Sequence, residues 1–108
     1  MKIKGITEYV ALPFVVTASR VLVKGRCLVQ TARLSGGSDT ATLKVYDGVD
    51  ANGEIRNSLV AAANSADSDF APVGDLCERG CYVALTGTGS VATVRVLPLS
   101  PDMEIDDE

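Results

Sequence analysis

Apolar and polar residues alternate with a period of two along several short stretches of the chain, separated by glycine, asparagine, aspartate and serine. The clearest stretch is 40–46 (TATLKVY), with Ala41, Leu43 and Val45 on one side and Thr40, Thr42, Lys44 and Tyr46 on the other. Successive side chains of a strand point to opposite faces of a sheet, so this pattern predicts a half-buried strand. Residues 81–86 (CYVALT) repeat it, with Cys81, Val83 and Leu85 inward, and 91–97 (VATVRVL) follow after GTGS at 87–90. Two β-rich runs flanking a short glycine turn predict a hairpin. The expected core is aliphatic: Leu43, Val45, Val83, Leu85, Val94 and Val96.

Residues 19–24 (SRVLVK) alternate too, with Val21 and Val23 on one face and Arg20, Leu22 and Lys24 on the other. Gly25 interrupts, 26–34 continue as a longer strand, and SGGSD at 35–39 is a turn cluster. The loop 47–54 (DGVDANGE) has two glycines and Asn52, which tolerate positive φ. Residues 55–63 are alanine-rich but short and lie between strands, so they read as a strand. Residues 64–75, with Pro72 and Gly74, read as a polar loop. Pro98 and Pro101 end the last strand. The pattern predicts an all-β fold, a single β-sandwich or jelly-roll-like barrel of about seven strands. Its body would span 19–97, preceded by an apolar arm or first strand at 1–18 and followed by an acidic, flexible tail at 98–108.

The 108 residues suit one domain with a modest core, a size at which oligomerisation often adds stability. Aromatic residues are five and tryptophan is absent, which argues against a stacking platform for sugars or single-stranded nucleic acid. The last seven residues carry five acids (Asp102, Glu104, Asp106, Asp107 and Glu108), while the rest sets ten bases against nine acids. Neither part has the basic stripe of a nucleic-acid binder. No apolar run approaches the ~18 residues of a membrane span, and no signal peptide is legible, so synthesis in a cytoplasm is expected. The three cysteines, Cys27, Cys77 and Cys81, then read as reduced, buried thiols. A Cys77–Cys81 bridge is compatible with the spacing but not implied by it.

Histidine is absent, which removes the usual general base and the commonest zinc ligand. Asp47, Asp50, Asn52 and Glu54 suggest a calcium loop. An EF-hand register that puts Asn52 and Gly53 at positions five and six sets Gly48 at position one, where a ligand oxygen is needed. GTGSV at 87–91 lacks the lysine ending and the helix of a phosphate-binding loop. The reading is of a protein that is not an enzyme, with no catalytic residues, no metal site and no cofactor.

SGGSDTATLKVYDG at 35–48, RGCYVALTGTG at 79–89 and VATVRV at 91–96 together resemble small virion-associated proteins of tailed bacteriophages. The resemblance spans about two-thirds of the chain, from Gly25 to Val96. It implies a capsid decoration (cement) protein or a related head or tail accessory protein, located in the virion and made in the host bacterial cytoplasm. The implied partners are the major capsid protein or other virion proteins, with homo-oligomer formation and neither nucleic acid nor membrane. The alternative is a module of a tail or head fibre that recognises a host-surface glycan through the loops 47–54 and 64–75, with Tyr46 as its best aromatic candidate. The residues expected at a partner interface are Val10, Leu12, Phe14, Val15 and Val16 of the apolar arm. Met103 and Ile105, set among the acids of the tail, complete the set.

Overall fold

In the computed structural model, which describes residues 2–3, 12–99 and 105–106, ten strands follow one another without a helix among the described residues. They are β1 (Lys2–Ile3), β2 (Leu12–Val16), β3 (Arg20–Lys24), β4 (Cys27–Ser35), β5 (Ala41–Asp47), β6 (Glu54–Ala61), β7 (Ala66–Cys77), β8 (Gly80–Thr86), β9 (Val91–Pro98) and β10 (Ile105–Asp106). Eight of them build two four-stranded antiparallel sheets, in the orders β2-β9-β4-β7 and β3-β8-β5-β6. Two packed sheets of four strands with these crossovers form a jelly roll. The chain passes from one sheet to the other at every connection from β2 to β9 except β5–β6, the one hairpin of the sandwich.

That order corrects the expectation at GTGS. Strands β8 and β9 are not hydrogen-bonded to each other; each sits inside a different sheet, and 87–90 arch across the top of the core. Gly87 and Gly89 take φ of 112° and 72°, which lets the chain make the crossing. The arch rests on 36–40: Ser38 N–H donates to the Thr88 carbonyl at 3.1 Å, and Thr88 N–H donates to Asp39 Oδ1 at 2.6 Å. Sequence alternation reports which residues face the core, but not which strand lies alongside.

The alternating residues do face one another across the sandwich. Ala41, Leu43, Val45, Val83, Ala92, Val94 and Val96 are at most 1% exposed, and Leu85 packs partly buried against them. Two stretches differ from the sequence reading. In β3 the register shifts between Val21 and Val23, so Val21 lies opposite Tyr82 and Val23 opposite Cys81. Leu22 and Val23 then pack on the core, and the simple alternation fails at this bulge. Residues 64–75, expected as loop, fall for the most part in the twelve-residue strand β7, Ala66–Cys77. Its pairing to β4 breaks between Phe70 and Asp75, and Gly74 within the break has φ of 83°. Pro72 falls in the same break on an edge strand, where a missing N–H is tolerated.

Candidate interface

Among the described residues β2 is an edge strand, paired with β9 alone. Val16 is wholly buried in the core, so it offers nothing to a partner. Phe14 packs partly buried on the core, with the Arg20 guanidinium 5.9 Å from its ring centroid. Leu12 and Val15 instead stand 50% and 63% exposed. The apolar run at 12–16 is therefore a strand of the body: Phe14 and Val16 pack inward, Val15 faces solvent on the outer side, and Leu12, opposite Val96 on the inner side, stands half exposed at the strand's end. Val10 and Met103 lie outside the described residues. Ile105 sits in β10, opposite Ile3 of β1. Partner residue numbers add to 108 in the β1–β10 ladder and in the β2–β9 ladder alike, so the two share one register.

The outer faces of the two sheets differ in chemistry. Across β2-β9-β4-β7, register sets Val15, Thr93, Arg33 and Ser68 in one row and Pro13, Arg95 and Thr31 in the next. A shallow hollow of about 470 Å³ lies over Thr31, Arg33, Ser68, Thr93 and Arg95. Across β3-β8-β5-β6 one row reads Val21, Tyr82, Tyr46, Ile55. The two tyrosine rings lie 6.1 Å apart at 52°, within the range of favourable tilted pairs, and Ile55 beside them is 51% exposed. Tyr82 was legible as an outward residue from Cys81 and Val83 being inward. Tyr46 was legible as outward from the alternation of 40–46, but its place beside Tyr82 was not, because register across non-sequential strands leaves no local signal.

The 47–54 loop closes the end of the sandwich nearest that tyrosine row. Asp47 is 7% exposed, and both its carboxylate oxygens are engaged. Oδ1 accepts the Arg79 N–H at 2.8 Å, and Oδ2 accepts Arg56 Nη2 at 3.1 Å. Burial works against the charge, but these bonds and the Glu78 N–H outweigh it and hold the carboxyl below its usual range. Asp50 Oδ1 accepts Asn52 N–H at 2.9 Å, which shapes the loop as an Asx turn. A hollow of about 210 Å³ lies between the loop and Arg79. Its one buried carboxylate is consumed in fastening the loop to the β7–β8 connection. Among the described residues, no group of three or more His, Cys, Asp or Glu is gathered to hold a metal ion.

No family model matches this chain, and no curated protein is a significant match to its sequence. The case for a function therefore stands on these surfaces.

Proposed function

We propose that this chain is a non-enzymatic virion structural protein, a capsid decoration (cement) protein that stabilises a phage head. The observation that carries the reading is the outer edge of β2, where Leu12 and Val15 stand exposed and no further strand pairs among the described residues. An edge strand with apolar side chains is a surface that partners cover, by strand addition or by packing. Anchoring by Val16 and Phe14 makes that edge rigid, so docking costs little ordering entropy. Jelly rolls serve viral capsids as well as lectins and cupins, so the architecture supports the reading only by analogy, and the surface carries it. Many copies on a lattice would turn weak single contacts into firm attachment.

Binding only to the intact shell would stabilise that shell by mass action. Particles with and without the protein should therefore differ in heat-induced DNA release, the decorated ones releasing at higher temperature. Equal release temperatures would remove the cement role. The Tyr46–Tyr82 pair favours a second reading, recognition of a host-surface glycan beside the 47–54 loop. In that case particles carrying Tyr82→Ala would keep their heat stability and lose adsorption to host cells.

A further inference from the structure

Cysteine spacing draws attention to Cys77 and Cys81, but sheet register brings a different pair together. Cys27 of β4 lies directly opposite Cys77 of β7. Both side chains are wholly buried in the same core cluster. Cys81 belongs to the other sheet, opposite Val23 and Asp47. Directly opposed residues of an antiparallel pair point to the same face with Cα atoms about 4.5–5.5 Å apart. Disulfides span Cα separations of about 4.4–6.8 Å, so the register places the Cys27–Cys77 pair within bridging range. Opposed Cβ atoms lie about 4.5–5.5 Å apart and a disulfide needs about 3.5–4.5 Å, so closure draws the end of β7 slightly toward β4.

We propose that Cys27 and Cys77 are a disulfide-forming pair, closed by exchange with a low-molecular-weight disulfide when the protein meets an oxidising medium. β7 provides the access. It is an edge strand, and after its break only the rungs Val29–Asp75, Leu28–Leu76 and Cys27–Cys77 hold its end to β4. Fraying of so short a paired end exposes Cys77 while the rest of the core stays closed. The Cys77 thiolate attacks one sulfur of oxidised glutathione and displaces a glutathione thiolate, which takes up a proton. The Cys27 thiolate then attacks the Cys77 sulfur and displaces the second glutathione. Two cysteine thiols are oxidised and one glutathione disulfide is reduced to two glutathiones. Neighbouring Cys27 and burial push the Cys77 thiol up, and burial pushes Cys81 up as well, so neither reacts in the closed fold. Fraying of the β7 end returns Cys77 to water, whereas Cys81 lies on β8 inside the other sheet and stays closed. The inference is independent of the capsid reading.

Trypsin cleaves after Arg26, Arg33, Arg56, Arg79 and Arg95, so the three cysteines fall on three peptides. The folded protein is incubated with oxidised glutathione at mildly alkaline pH, quenched in acid, alkylated, digested and mapped by mass spectrometry. The expected product joins the Cys27 and Cys77 peptides and leaves Cys81 alkylated. It unfolds at higher denaturant concentration than the reduced protein. Cys81→Ala should form the same bridge at the same yield, and Cys27→Ala should stop at a Cys77–glutathione adduct. A Cys77–Cys81 bridge in the wild type would overturn the assignment. So would a lasting glutathione adduct without a bridge, or three intact thiols under conditions where the Leu76 and Cys77 amides have exchanged with solvent.

Discussion

Strands β5 and β7 are both long, and they differ in almost everything that makes a strand legible. β5 lies inside its sheet, between β8 and β6, and alternates cleanly between Ala41, Leu43 and Val45 in the core and residues facing out. β7 forms an edge, with Asp67, Ser68 and Asp69 exposed in succession. The Asn57 amide of β6 donates to Asp69 Oδ2 at 2.8 Å, a polar clasp between the two sheets where β5 has apolar packing. Asp75 lies on the same strand, and its carboxyl is pushed up by burial, with the nearby Asp69 adding to the effect. A strand with one dry face writes period two into the sequence. A strand closing an open edge with polar groups, broken by a bulge at Gly74, reads as loop.

The contrast can be broken first at the centre of β5. Leu43→Ala should cost about 2–5 kcal/mol in denaturant unfolding, because the site is sealed from both sides. Val60→Ala on the outer face of β6, where the side chain is 58% exposed, should stay within about 0.5 kcal/mol. Equal losses at the two positions would contradict the inner and outer assignment. The arches give the next effect. A Cβ on Gly37 would collide with the Thr88 carbonyl, so Gly37→Ala should lose about 1–3 kcal/mol by overpacking.

The two carboxylates sharpen the comparison with opposite signs. Asp47 has its pKa held low in the fold, so its stabilisation is complete above the unfolded value of about 3.9 and is lost as pH falls through the folded value. Asp47→Asn should therefore cost roughly 1–3 kcal/mol at neutral pH, and the gap from wild type should close in acid. Asp75 has its pKa raised, so its charge opposes folding above the raised value and ceases to do so below it. Asp75→Asn should leave stability unchanged or raise it by less than about 1 kcal/mol at neutral pH. Urea unfolding of both variants between pH 3 and 7 measures the two slopes. A loss of stability at Asp75 matching that at Asp47 would show that β7 uses its acids as fasteners.

The all-β class, the aliphatic core and the strand at 40–46 were legible because burial of one face imposes a local period. The jelly-roll order was not. Its strand neighbours are remote in sequence, and GTGS serves an arch as well as a hairpin. The apolar run before Thr17 was visible as an anomaly, but its division was not. Val16 and Val15 are chemically alike, and only the sheet decides which is inside. The pairing of Tyr46 with Tyr82 and of Cys27 with Cys77 follows from register in the same way.

Attachment by the open edge of β2 is the claim on which the functional reading rests. Its direct test is co-sedimentation of a Leu12→Ser, Val15→Ser double variant with particles that lack the protein. Both residues are exposed, so the variant should unfold within about 0.5 kcal/mol of wild type. It should remain in the supernatant while wild-type protein pellets with the particles. A variant that pellets as wild type does would contradict that claim.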